Sequence, residues 1–137
     1  MSGRDLSALY SSHRQTWRTP TSLYAELDRE FGFTLDPCPF APGAGHGLLE
    51  SWIGERVFCN PPYSACYAWV EKCWTEAGHA QVVVALLPAR TDTPWWHEYA
   101  LRADEIRFIR GRLSYDDSGQ RAPFPSVIVV WRGAVDE

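Results

Sequence analysis

Four consecutive residues, Asn60-Pro61-Pro62-Tyr63, carry the most specific chemistry in the sequence. A proline fixes its own φ, and the residue before a proline is pushed into extended geometry. Asn60 and Pro61 both precede prolines, so the tetrapeptide is stiff without outside help. Prolines lack an N–H, yet their carbonyls remain acceptors. The side-chain oxygen of Asn60 and the carbonyl of Pro61 therefore make a rigid pair of acceptors, suited to a planar –NH₂ group on a ring or an amide. Tyr63 adds a flat face on which a planar base could stack, a contact worth about 1–3 kcal/mol.

Two further segments share this character. Leu35-Asp36-Pro37-Cys38 and Leu86-Leu87-Pro88-Ala89-Arg90-Thr91-Asp92 each pass from an apolar run into proline and polar residues. Asp36 offers a carboxylate. Arg90, like Arg112 further on, offers a planar fork of donors matched to phosphate and base edges. In sheets built with helical crossovers, ligands bind beyond the carboxyl ends of the strands. The three segments are therefore expected to open onto one rim.

The elements that must position them can be read from the pattern. Thr19-Pro20-Thr21 starts a helix whose Leu23, Leu27 and Phe31 form one apolar face, and Gly32 ends it. Short strands are expected at Phe33–Asp36 and Arg56–Cys59, separated by a loop rich in proline and glycine from Pro39 to Gly47. A helix over Ser64–Ala77 is expected to carry Tyr67, Val70 and Trp74 on one side. The run Val82–Leu87 reads as a strand covered on both faces. A short helix follows over Pro94–Arg102, then strands at Glu105–Ile109, Arg112–Tyr115 and Ser126–Trp131. Strands alternating with helices imply an α/β fold with a mainly parallel sheet, helices on both faces and antiparallel final strands. Residues 1–16 are polar and without periodicity, a flexible arm, and residues 17–137 form one domain.

Composition limits the function classes. The chain has 137 residues, 45% hydrophobic, with seven Trp, six Phe and six Tyr, which excludes a disordered tail. No apolar stretch approaches the roughly 18 residues of a membrane span, and no basic leader precedes an apolar core. The net charge of −4 argues against gripping phosphate by bulk charge. That charge is uneven, however: residues 102–132 carry six Arg against four carboxylates, while residues 1–101 hold seven basic and eleven acidic side chains. A salt-bridged face is the plain reading of those arginines, and a nucleic-acid contact the functional one. Cys38, Cys59, Cys66 and Cys73 form no C-x-x-C pair, and His46 and His79 do not complete a zinc set, so no metal is expected. Small buried hydrophobes are the expected role of most of these cysteines.

Asn-Pro-Pro-Tyr after an apolar strand resembles the catalytic motif of amino methyltransferases that use S-adenosylmethionine. The wider set resembles the phage-type adenine-specific DNA methyltransferases: Trp17-Arg18-Thr19-Pro20, Phe31 to Cys38, Cys59 to Ser64, Leu87 to Thr93, Gly111-Arg112-Leu113 and Pro123 to Ser126. The resemblance spans residues 13–131. It implies a compact Rossmann-like sheet and methyl transfer from S-adenosylmethionine to the exocyclic amino group of adenine in DNA, with the base flipped out of the duplex. It places Asn60, Pro61, Pro62 and Tyr63 on the flipped adenine. Trp17, Thr19, Pro20, Asp36, Pro37 and Cys38 are placed on the cofactor, and Arg90, Thr91, Asp92 and Arg112 near the target strand. A cytoplasmic protein with DNA as partner and no membrane association follows, with a second copy as a further partner for target recognition.

One departure from the family pattern concerns the loop before the catalytic strand, where an acidic residue precedes Gly-Leu and this chain has His46-Gly47-Leu48. The tetrapeptide also serves enzymes that methylate RNA amino groups or protein glutamine, since each presents a planar –NH₂. A catalytically silent module that holds cofactor or nucleic acid is the alternative from a different class.

Overall fold

Every residue of the strand Val82–Pro88 is buried, because this strand lies inside the sheet and is covered on both faces. The computed structural model describes residues 17–39, 46–117 and 119–133. The expected arm over 1–16 and most of the Pro39–Gly47 loop lie outside these residues. In chain order the elements are α1 (Thr21–Phe31), β1 (Arg56–Cys59), α2 (Cys66–Glu76), β2 (Val82–Pro88), α3 (Pro94–Glu98), β3 (Glu105–Phe108) and β4 (Ser126–Arg132).

Side-chain alternation along the strands divides the core in two. Val57, Cys59, Val83, Ala85, Leu87, Val127, Val129 and Trp131 pack on Trp69, Val70 and Cys73 of α2 and Trp95 and Trp96 of α3. Phe58, Val82, Val84, Leu86, Ile128 and Val130 turn the other way, onto Leu27 and Phe31 of α1. Helices thus lie on both faces, as expected. Full burial of each such aliphatic side chain is worth about 1.5–3 kcal/mol.

The sheet is not mostly parallel, and this corrects the expected Rossmann-like arrangement. Its order is β1-β2-β4-β3; β1 and β2 run parallel, whereas β4 is antiparallel to both of its neighbours. Part of the reason lies at Phe33–Asp36, expected as a strand. Only Leu35 makes a parallel bridge, to Val57. The Thr34 hydroxyl takes the Arg56 N–H at 2.8 Å, where a regular ladder would use a backbone carbonyl, and Pro37 ends the pairing. The strand expected at Arg112–Tyr115 is also absent. Gly111 there has φ 77° and Asp117 φ 55°, and Tyr115–Asp117 form a single 3₁₀ turn.

The helices differ from expectation in detail. A 3₁₀ turn over Tyr63–Ala65 precedes α2. The buried face of α2 is Cys66, Trp69, Val70 and Cys73, while Tyr67 and Trp74 are exposed and lean on Tyr99. Of that expected stripe only Val70 faces the core. The Pro94–Arg102 helix breaks after Glu98 and resumes as a 3₁₀ turn over Ala100–Arg102. At its start the Thr93 hydroxyl accepts the Trp96 N–H, a side-chain cap. Gly32 ends α1 in the left-handed conformation, φ 62°, donating its N–H to the Asp28 carbonyl at 2.7 Å.

Candidate active site

β1 ends at Cys59, and Pro61, with no N–H to give, cannot extend the ladder. This leaves Asn60 at the carboxyl edge of the sheet. Pro62 holds extended geometry, φ −66° and ψ 144°, before the chain turns at Tyr63–Ala65. Asn60 donates from its side-chain nitrogen twice, to the Trp17 carbonyl and to the Thr19 hydroxyl, the latter at 3.0 Å. A carbonyl has no hydrogen, so the amide atom facing Trp17 must be Nδ2. The orientation of the amide is therefore fixed. Its Oδ1 is left buried and without a hydrogen-bond partner.

Asn60 lines a cavity of about 290 Å³ with Trp17, Arg18, Thr19, Thr21, Tyr24, Asp36, Cys38, Pro39 and Phe58. Four of the six residues expected at the cofactor thus meet in one wall: Trp17, Thr19, Asp36 and Cys38. Pro20 and Pro37 are buried and are not among its lining residues. Pro37 is held by a close approach of Gly47, where a Cβ would stand 2.2 Å from the Pro37 carbonyl oxygen. The His46–Leu48 turn is therefore packed directly on the Asp36–Cys38 segment.

Partial desolvation at this wall raises the carboxyl of Asp36, an exposed residue, above its ordinary value, although the Cys38 N–H donated to Oδ1 at 3.2 Å works the other way. Burial likewise pushes the Cys38 thiol up to about 11, with the charge of Asp36 adding to it. Burial also lifts Cys66 to about 12 against the opposing pull of Arg90, and carries Cys59, beside Cys73, well above its usual value. These thiols stay protonated at neutral pH, which removes them as nucleophiles.

Tyr63 sits just outside the cavity, in an aromatic cluster. Its ring lies near-parallel to Trp17 (centroids 6.2 Å apart, 23° between planes) and edge-on to Phe124 at 4.9 Å. Trp17 in turn meets Phe124 and Tyr115 edge-on, at 5.4 and 5.6 Å. The Tyr63 hydroxyl is buried without a partner of good geometry, and burial, together with the neighbouring Tyr115 hydroxyl, raises its pKa.

The residues expected near the target strand are not gathered in the same way. Arg90 is exposed but close enough to Tyr63 and Cys66 for its charge to oppose the rise in their pKa values. The Thr91 carbonyl faces the His97 ring at 2.8 Å. Asp92 and Arg112 are exposed and outside the cavity wall. Arg107 and Arg132 fulfil the plain reading of the arginine-rich segment. Arg107 forks onto Glu30 at 2.7 and 2.6 Å, and Arg132 pairs with Glu105 at 2.9 Å. Arg110, Arg112 and Arg121 are exposed on one loop, drawn together by the Ala122 N–H bonded to the Leu113 carbonyl at 2.7 Å.

Arg18, Thr21, Tyr24, Pro39 and Phe58 are wall residues that motif reading does not single out. Tyr24 follows Leu23 on the helical wheel, and Phe58 alternates with the buried Val57 and Cys59. The two rings meet edge-on at 5.1 Å, a pairing across the chain that neither periodicity reveals.

The model of the family described as DNA N-6-adenine-methyltransferase (Dam) matches residues 6–135. The chain belongs to this family. Two curated relatives carry the name DNA N-6-adenine-methyltransferase. The one from Escherichia phage T1 is 31% identical over 117 residues, covering 77% of this chain and 49% of the relative. The one from Haemophilus phage HP1 (strain HP1c1) is 29% identical over 110 residues, covering 72% of this chain and 64% of the relative. The chain therefore spans about half to two thirds of the length of these Dam-family relatives. No solved structure matches it. Within the Dam family match lie all of the cavity wall, the Asn60–Tyr63 tetrapeptide and the arginine loop. Among the described residues no helix is long and apolar enough to cross a membrane.

Proposed function

We propose that the chain transfers a methyl group from S-adenosylmethionine to the exocyclic amino group of a flipped adenine in DNA. The observation that carries this reading is the buried, unpartnered Oδ1 of Asn60, held at the edge of the cavity by an amide whose orientation is fixed. A buried acceptor without a donor is costly unless a ligand supplies one. An –NH₂ group supplies it.

The cavity suits the cofactor. Its volume lies at the lower end of ligand pockets. Tyr24, Phe58 and Pro39 offer apolar surface to a nucleoside. Arg18 and Asp36 bring opposite charges to the same wall, as an amino-acid zwitterion requires. When bound, S-adenosylmethionine supplies a methyl group on a positively charged sulfur.

The remaining chemistry belongs to this chain. The amino nitrogen of adenine is a poor nucleophile because its lone pair is delocalised into the ring. Asn60 Oδ1 and the Pro61 carbonyl accept its two hydrogens, favouring a more tetrahedral nitrogen and stabilising the positive charge that develops there. Such acceptors act mainly in the transition state. Tyr63 supports the ring by stacking, and Arg90 beside it and the Arg110–Arg112–Arg121 loop meet the phosphates of the target strand. The alternative acceptors, RNA and protein glutamine, find no support in the relatives, both named for adenine in DNA.

The test is Asn60→Ala in a methylation assay with purified protein and unmethylated DNA. Removing one such acceptor lowers transfer by about 100-fold or more. Undiminished transfer contradicts the assignment.

A further inference from the structure

Thr19 lies one residue before Pro20, the N-cap of α1, and so stands just outside the position from which a threonine side chain ordinarily caps a helix. Pro20 is the N-cap with no side-chain cap bond, and the Thr21 N–H and hydroxyl are both taken by the Asp117 carboxylate. The Thr19 hydroxyl instead accepts from Asn60 Nδ2 at 3.0 Å, across 41 residues of sequence.

The geometry points to Thr19 as a positioning residue for the acceptor on Asn60, in addition to any contact it makes with the cofactor. This rests on the proposed methyl transfer to an adenine amino group. The Trp17 carbonyl and the Thr19 hydroxyl occupy the two hydrogens of the Asn60 amide. With both taken, the amide is held against flipping, and Oδ1 is the polar atom of this side chain left without a partner, the acceptor open to an amino group. Donation through both hydrogens also shifts amide electron density onto Oδ1, because hydrogen bonds in a chain polarise one another. The oxygen that must stabilise a developing positive charge is therefore both aimed and strengthened from residues 17–19. The Trp17 contribution comes from the backbone and survives any substitution there. Thr19 contributes a side chain, so its part can be removed.

A cofactor contact and a positioning role predict different kinetics. If Thr19 acts through Asn60, Thr19→Val lowers the single-turnover rate of methyl transfer by about tenfold or more at saturating cofactor and DNA. Calorimetry measures the dissociation constant for S-adenosylmethionine separately, and the rate loss persists at saturating cofactor whatever share of binding Thr19 also contributes from the wall. Thr19→Ser restores the acceptor and most of the rate. Nuclear magnetic resonance gives a readout independent of turnover: one Asn60 side-chain amide proton shifts in Thr19→Val and returns in Thr19→Ser. Should the valine variant lose its fold, Thr19→Ala removes the same acceptor without placing a methyl against the amide. A variant lacking the hydroxyl that keeps the wild-type rate with an unmoved amide proton overturns the assignment. So does a loss that appears only as weaker cofactor binding. A wild-type protein that binds the cofactor but transfers no methyl to adenine instead overturns the functional reading, and the inference falls with it.

Discussion

Gly47 stands so close to Pro37 that a methyl group on its Cα would lie 2.2 Å from the Pro37 carbonyl oxygen and 2.5 Å from the Pro37 Cβ. The contact fixes the segment that delivers Asp36 and Cys38 to the cavity wall. Gly47→Ala forces the backbone of that segment outward. A loss of about 1–3 kcal/mol in unfolding free energy is expected, together with weaker binding of S-adenosylmethionine. Denaturant unfolding and calorimetry on the same variant check both parts; unchanged stability contradicts the close approach.

Asp36 predicts a pH dependence. Partial desolvation raises its carboxyl above the 3.8 of an unperturbed aspartate, so between 3.8 and the folded value the native state binds more protons than the unfolded chain. Stability then falls as pH rises through that window, and at neutral pH the ionised Asp36 is a net cost. Asp36→Asn is expected to be more stable than wild type at pH 7. The difference should narrow as pH is lowered toward 3.8. If the substitution destabilises the protein at pH 7, the Cys38 N–H bond to the carboxylate outweighs its desolvation. Weaker cofactor binding in the more stable variant fits a charge kept for a ligand.

Tyr63 separates ring from hydroxyl. The hydroxyl is buried beside that of Tyr115 with no bond of good geometry, so Tyr63→Phe is expected to leave stability within about 1 kcal/mol of wild type. Methyl transfer should be close to wild type. Tyr63→Ala removes the stacking face, a loss of about 5- to 150-fold in transfer efficiency. Equal damage from both variants places the importance of Tyr63 in its hydroxyl and contradicts the stacking role.

The arginine loop is tested by salt. Arg112 and Arg121 are exposed and brought together by the Leu113–Ala122 bond, whereas Arg107 and Arg132 are engaged with Glu30 and Glu105. Replacing Arg112 and Arg121 by alanine should weaken DNA binding and reduce the slope of log affinity against log salt by about 0.9 for each lost duplex contact. Arg107→Ala should leave that slope unchanged. The reverse pattern moves the DNA-binding face to β3.

The parts of the site legible in sequence are those whose geometry is local. Proline stiffening marks Asn60–Tyr63, and the same logic finds the Asp36–Cys38 corner. β1 is read to the residue because Asn60-Pro61 stops it. The antiparallel final strands expected from sequence are found in β3 and β4; what is not legible is that β4 inserts between β2 and β3, because a continuous Val and Ile run reports cover on both faces and says nothing of its neighbours. Arg112–Tyr115 mimics a strand by alternation alone, and Gly111 with a left-handed Asp117 defeats it. Tyr24 against Phe58, and Thr19 against Asn60, are contacts between distant segments that no local pattern encodes. The orphaned Asn60 oxygen is of the same kind: the sequence names the acceptor, but only packing shows that both amide hydrogens are already taken.

Methyl transfer to adenine is measured most directly with S-adenosylmethionine labelled on its methyl group. Purified protein is incubated with unmethylated DNA, the DNA is digested, and the labelled base is identified. Label is expected in N6-methyladenine, reduced about 100-fold or more by Asn60→Ala. Label in another base, or none in DNA from a protein shown to bind the cofactor, contradicts that reaction.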